Sequence, residues 1–231
     1  MATKLFTLIL VFSCSLTLVS GQKTRTFTVQ PGEKIRSTIP DSVSYSYPSF
    51  ISGTVYFRDS RKTTARLNYN SLFEEIMFIA PGGDTLALEN GAAIKFVVIS
   101  TDTFYFDNFF IKNEGSYGDI RLASKDIFVI ADINAVGAMG NNAPSSVTTV
   151  KTLLTRGQST ELTMQEILKI REETHFYIGD KFNNFKIVSR KNLVDFFPGK
   201  SRKIKEYLKY NAIKFNDKDD LSKMITSLQA G

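Results

Sequence analysis

Few side chains in this chain can carry chemistry. Its 231 residues include one histidine, His175, one cysteine, Cys14, and no tryptophan. His175 follows Glu172 and Glu173 closely, the one place where an imidazole and carboxylates crowd together. Zinc takes three or four protein ligands, and a lone histidine in an alternating segment reads instead as a sheet-surface or interface residue. A Ser-His-acid or Cys-His constellation would have to use this single imidazole, and no nucleophile elbow accompanies it. No metal site is expected.

Carboxylates are more plentiful. Glu74, Glu75, Asp84, Glu89, Asp102, Asp107, Asp119 and Asp126 are spread over one stretch of alternating sequence. Two of them facing each other across strands would form an acid and base pair. Adjacent Glu74 and Glu75 cannot be that pair, because neighbours in a strand point to opposite faces. Nine tyrosines are present, but aromatics in such a sheet pair across strands or fill a core. Gly137 to Gly140 lacks the spaced glycines of a dinucleotide turn and the Lys-Ser/Thr pair of a P-loop. No cofactor is expected, and the residues point away from an enzyme.

The N-terminus carries an address. Lys4 precedes an uncharged apolar run, Leu5 to Val19, and Val19-Ser20-Gly21 supplies small residues. That order describes a secretory signal peptide. The run is shorter than the roughly twenty residues a membrane-crossing helix needs, so the mature chain is expected to start near Gln22, without a transmembrane helix, in the periplasm or outside the cell. Cleavage removes Cys14, leaving no thiol for disulfides and core burial as the source of stability. The other reading makes Cys14 the lipid-modified residue of a lipoprotein. Ser13 suits that reading; Phe12 and the apolar Leu16 to Val19 do not.

Formal net charge is +6, and the excess is local. Between Lys181 and Lys209 nine Lys or Arg residues stand against Asp195 and Glu206, a local charge of +7. Lys200, Arg202, Lys203, Lys205 and Lys209 form the candidate interaction surface. Clustered basic charge suggests nucleic acid, which export removes as a partner. An envelope protein or an anionic surface takes its place; a solvated helix face is the plainer reading.

The elements that must position these residues fall into five segments: a signal peptide (1–21), an N-terminal extended segment (22–52), an antiparallel β-meander (53–132), a flexible loop or linker (133–164), and a final strand with a helical tail (165–231). Val55 and Phe57 alternate with Thr54 and Tyr56, then Ala65, Leu67 and Tyr69 alternate after a polar turn. Further runs end at Pro81-Gly82-Gly83, Glu89-Asn90-Gly91 and Asn113-Glu114-Gly115. Short alternating runs about ten residues apart, without helical patterns between them, predict a meander. Phe96 to Ile99 and Ile127 to Ile130 are apolar on both faces. The sheet must therefore curl about a core, as in an open barrel, or be covered on its second face, for which the C-terminal helices are nearest.

The tail changes period. Leu193, Val194, Phe196 and Phe197 fall on a helix opened by Ser189 and stopped by Pro198-Gly199. Ile204, Tyr207 and Leu208 stripe a second. Leu221, Met224, Ile225 and Leu228 sit at i, i+3, i+4 and i+7 of a third, capped by Asn216 or Asp217. The fold expected is mainly β with about three short C-terminal helices.

Two stretches carry a resemblance. Gly53-Thr-Val-Tyr-Phe-Arg-Asp59 with Ala65-Arg-Leu-Asn-Tyr-Asn70, followed by Glu75-Ile-Met-Phe78, resembles a hairpin and strand of uncharacterised exported, signal-peptide-bearing proteins of Bacteroidetes-type bacteria. Lys191 to Phe197, Pro198-Gly199-Lys200, Ile204-Lys205 and Phe215 resemble their helical tail. The resemblance implies a secreted or envelope location and a meander plus tail, and supplies no activity. The chain is therefore expected to be a non-catalytic binding or interaction module of the envelope. A carrier of a small apolar or lipid-like ligand and a carboxylate-dependent hydrolase are the alternatives.

Overall fold

The computed structural model describes residues 24–134, Val150 and residues 167–230. The expected signal peptide lies outside the described residues, as does the 133–164 segment apart from Ile133, Asn134 and Val150. The chain is mainly antiparallel β with a set of C-terminal helices. One eleven-stranded sheet takes the order β1-β10-β9-β8-β7-β6-β2-β3-β4-β5, with β11 also on β10. Its strands are β1 (Thr26–Val29), β2 (Ile51–Phe57), β3 (Lys62–Asn70), β4 (Glu75–Ile79), β5 (Thr85–Ala87) and β6 (Ile94–Ile99). They continue as β7 (Asp102–Phe106), β8 (Phe110–Tyr117), β9 (Ile120–Asn134), β10 (Ile167–Gly179) and β11 (Phe185–Ile187). Two single-turn helices, α1 (Ile35–Thr38) and α2 (Asp41–Ser44), interrupt the N-terminal segment. Helices α3 (Arg190–Phe196), α4 (Ser201–Tyr210) and α5 (Lys218–Gln229) end the chain.

The sheet curls about one face and stays open. Period-two alternation puts Val55, Leu67, Ile76, Val97, Ile99, Phe104 and Phe110 on that inner face, where they form one continuous cluster. The sheet's far end meets its middle: the Tyr69 hydroxyl reaches the Asp126 carbonyl at 3.5 Å, and Leu72, in the β3–β4 turn, packs with Phe128 and Ile130 of β9. On the outer face Tyr56 and Phe96 stack at 4.5 Å, and Arg121 lies over Tyr105 at 4.6 Å. Those aromatics shield one another, which accounts for the apolar outer residues around Phe96.

β9 and β10 form the spine, paired from Asn134↔Ile167 to Arg121↔Gly179. The runs Ile120–Ala123 and Ile127–Ala131, which read as separate strands, are one strand of 15 residues. Ser124-Lys125-Asp126 is polar enough to look like a break, yet it is the middle of β9. Likewise the expected strand from His175 to Gly179 is the end of a 13-residue β10.

The inner face of this spine is apolar at both ends and polar between. Ile120 and Leu122 lie beside Phe176 and Ile178 at one end, and α3, α4 and α5 cover them with Leu193, Ile204, Leu221, Met224, Ile225 and Leu228. The periodicity of α5 thus does what it predicts, each such side chain contributing about 1.5–3 kcal/mol by burial. Ser189 caps α3 and Asp217 caps α5 through their side chains. Phe128, Ile130, Leu168 and Ile170 lie at the other end under Val29, Ile35 and Ile39. Between the two covers Ser124, Asp126, Glu172 and Thr174 are left without an apolar lid.

Candidate functional site

The polar middle is built by register. Thr174 stands opposite Asp126, and Glu172 stands opposite Phe128, so Asp126 and Glu172 are diagonal neighbours on one face. The Thr174 hydroxyl donates to Asp126 Oδ1 at 2.6 Å. Arg25 Nε meets Glu172 Oε2 at 2.9 Å. Burial pushes the Glu172 carboxyl above the usual carboxylate range; Arg25 opposes that shift, and the nearby Asp126 charge adds to it.

Deeper on the same face Lys112 and Ser124 converge on Glu114, at 3.1 Å and 2.6 Å. Glu114 is the extra residue of a bulge between Asn113 and Gly115, which re-aims its carboxylate inward. Lys218 at the start of α5 reaches its other oxygen at 2.7 Å. Burial would raise the Glu114 carboxyl, but Lys218, Ser124 and Lys112 together hold it below its usual range. Across the curl the Tyr47 hydroxyl donates to Asp102 at 2.6 Å, with Asn68 holding Tyr47 through both its backbone groups.

On the opposite face of β10 runs a chain of charges. Arg171 Nε donates to Glu173 Oε1 at 2.9 Å, and His175 Nε2 lies 2.9 Å from Glu173 Oε2. Burial would raise the Glu173 carboxyl, and His175 and Arg171 outweigh it. Strand alternation separates Glu172 from this pair, so Glu172, Glu173 and His175 do not share one site. Among the described residues no group of three His, Cys, Asp or Glu side chains is placed to hold a metal ion.

The outer side of β10 is divided. β1 pairs with Leu168 to Arg171, and β11 pairs with Tyr177 to Gly179. At the margins the Glu172 N–H donates to the Arg25 carbonyl at 3.0 Å, and the Val188 N–H donates to the Phe176 carbonyl at 2.8 Å. Backbone groups alternate sides along a strand, so the N–H and C=O of Thr174 point the same way. Among the described residues no backbone partner meets them.

Over this stretch opens a cleft of about 1170 Å³, floored by residues 171–176 and reached by Thr24, Arg25, Ile187 and Phe215. A cavity of about 290 Å³ continues inward past Ser71, Asp102, Lys112 and Ser124. Arg25, Asp126 and Glu172 line both. Ile187 is 46% exposed and Phe215 36% exposed at the rim, a small apolar margin around a charged floor.

The basic residues singled out from the sequence lie elsewhere, on and beside α4. Lys200 and Lys203 are engaged: their ammonium groups donate to the Leu228 and Ser227 carbonyls at the end of α5, where cations complement the helix dipole. Arg202, 92% exposed, stands 3.9 Å from Glu206. Lys209 lies over Tyr210 at 5.3 Å, and Lys205 is exposed. Of the scattered carboxylates the fold brings Asp102 and Asp126 to the site, while Glu74 pairs with Lys125 and Asp119 with Lys181. Arg25, Arg171 and Thr174 did not stand out in sequence. The available signal was the order Ile170, Glu172, Thr174, Phe176, Ile178, apolar at both ends and polar in the middle of one strand face.

Comparison of the chain with protein-family models, with curated proteins and with solved structures finds no match. No helix among the described residues is long and apolar enough to cross a membrane.

Proposed function

We propose that the protein is an exported, non-catalytic binding module that holds an envelope polypeptide in the cleft over residues 171–176 of β10. The observation that carries this reading is the cleft over residues 171–176, whose floor brings Arg25, Asp126 and Glu172 together. Exposed Ile187 and Phe215 at its rim offer apolar contact beside that charged floor, a mixture that suits a polypeptide. The leader from Lys4 to Gly21, and the resemblance to exported proteins of Bacteroidetes-type bacteria, support the location.

The charged floor favours a polar occupant over an apolar or lipid-like one, since each desolvated charge needs a partner. Asp126 and Glu172 are each engaged by a donor of their own, which favours binding over hydrolysis. The test is crosslinking in cells that export the protein, with a photoreactive phenylalanine analogue placed at Ile187, at Phe215 or at Lys205. The reading expects one discrete polypeptide adduct from positions 187 and 215 and none from 205. Capture from position 205 alone would overturn it and make the basic helix the interface.

A further inference from the structure

We infer that Glu114 is a positioning residue for the cleft, holding through Lys218 the loop that carries Phe215 and Asn216; this rests on the cleft reading above.

The wall that these two residues form belongs to α5. Phe215 and Asn216 line the cleft together with residues 171–176, and they lie in the link between α4 and α5. Three hydrogen bonds close that link onto the first turn of α5. The Lys214 N–H donates to Asp220 Oδ2 at 3.0 Å, and the Asp217 N–H donates to the Lys214 carbonyl at 3.1 Å. The Asp220 N–H donates to Asp217 Oδ1 at 3.0 Å. Phe215 and Asn216 are the tip of a loop fastened at both ends to α5, so they move with its first turn.

That turn is seated on β8. Leu221 is the first α5 side chain buried in the core, and before it Lys218 reaches Glu114 Oε2 at 2.7 Å. Each partner sits where its own element does not favour it. A cation at the first residue of a helix opposes the helix dipole. The extra residue of a bulge interrupts the ladder between β8 and β9. The contact between them accounts for both departures. Glu114 is itself held still, because Lys112 and Ser124 engage its other oxygen from the sheet and its side chain is only 10% exposed. A fixed carboxylate on the sheet thereby sets where the loop stands.

The floor needs no such device. Residues 171–176 lie inside β10, and Phe176 and Val188 belong both to the cleft lining and to the core beneath the helices. Phe215 stands outside that core, and its place follows from the α5 turn.

The chain has no tryptophan, so Phe215→Trp supplies an indole that reports on the wall alone. In that background Lys218→Met is expected to raise acrylamide quenching of the indole and lower its anisotropy, while Lys218→Arg leaves both unchanged. Lys218 is half-exposed, so its variants fold, which thermal melts verify; Glu114→Gln is the second variant and is expected to act in the same direction. In the crosslinking experiment above, with the analogue at Ile187, Lys218→Met is expected to reduce the adduct about fivefold, the effect of one partly exposed ion pair. Lys218→Arg is expected to keep it. An indole equally quenched and equally mobile in the parent, Lys218→Met and Glu114→Gln would overturn the inference and leave the cleft reading standing. A loosened indole with an undiminished adduct would overturn it likewise, since capture would not depend on the wall. No adduct from position 187 in the parent protein would overturn the cleft reading, and this inference with it.

Discussion

Lys125 and Glu74 meet inside the protein: the ammonium lies 2.9 Å from Glu74 Oε2, and each side chain is 8% exposed. The contact joins the centre of β9 to the β3–β4 turn, where Glu74 adopts φ +56°. It therefore pins the far end of the curled sheet to its spine, with the Phe109 ring 3.8 Å beneath the ammonium. A buried charge left alone is far costlier than the pair is favourable. Lys125→Met or Glu74→Gln alone is predicted to cost about 3–5 kcal/mol in urea unfolding, and Lys125→Met with Glu74→Leu to recover most of that loss. Additive losses in the double variant would show that the pair is not a coupled unit.

Glu114 fastens the C-terminal helices to the sheet through Lys218 while Lys112 and Ser124 hold it from below. Its carboxyl lies lower in the folded chain than in the unfolded one. The stability it contributes is complete above its ordinary value near 4.5 and is lost as pH falls through the lower folded value. Glu114→Gln is predicted to cost about 1–3 kcal/mol at neutral pH and to flatten the acid limb of the stability profile. An unchanged acid limb would contradict this role.

At the alkaline end buried phenols act in the opposite sense. Burial pushes Tyr177 up to about 12, with Glu74 adding to the shift. Tyr69 is raised further by burial, then by Glu74 and Asp126. A raised folded value supplies stability that is complete below the unfolded value near 10 and fades as pH climbs through the folded one. Burial and the Asp102 carboxylate also raise Tyr47, so spectrophotometric titration is predicted to show these three phenols ionising only with unfolding, and Tyr177→Phe to shift the alkaline midpoint upward. Ionisation of all tyrosines near pH 10 in the folded protein would contradict their burial.

Gly53 is required by close approach. A Cβ there would stand 2.7 Å from the Val98 carbonyl oxygen and 2.8 Å from Leu67 Cδ1. The first contact is to backbone on the neighbouring strand, which has little room to move. Gly53→Ala is predicted to destabilise the fold by about 1–3 kcal/mol, read as a lower melting temperature. A stabilised variant would mean that β2 and β6 shift apart freely.

The meander and the helical tail were legible because local pattern encodes them: alternation at Val55 and Phe57, and the caps Ser189 and Asp217 before apolar stripes. The first hairpin turn was less so, since Ser60 takes φ +72° where glycine is the usual residue. The candidate site was hidden for a physical reason. Ser124-Lys125-Asp126 and Glu172 to Thr174 are polar inside otherwise apolar strands, and polar interruptions read as loops. The cleft over residues 171–176 depends on how β1 and β11 pair with β10, through pairings such as Thr26↔Arg171 and Tyr177↔Ile187. The first of these joins residues far apart in the chain, and no local periodicity reports it.

The most direct test of the account is amide hydrogen exchange of the protein, resolved residue by residue along β10 and α4. With the polypeptide captured from positions 187 and 215 added, the amides of residues 171–176, which floor the cleft, are predicted to slow, while those of Lys200 to Lys209 do not. Slowing confined to Lys200 to Lys209 would contradict the cleft as the binding site, and with it the proposed function.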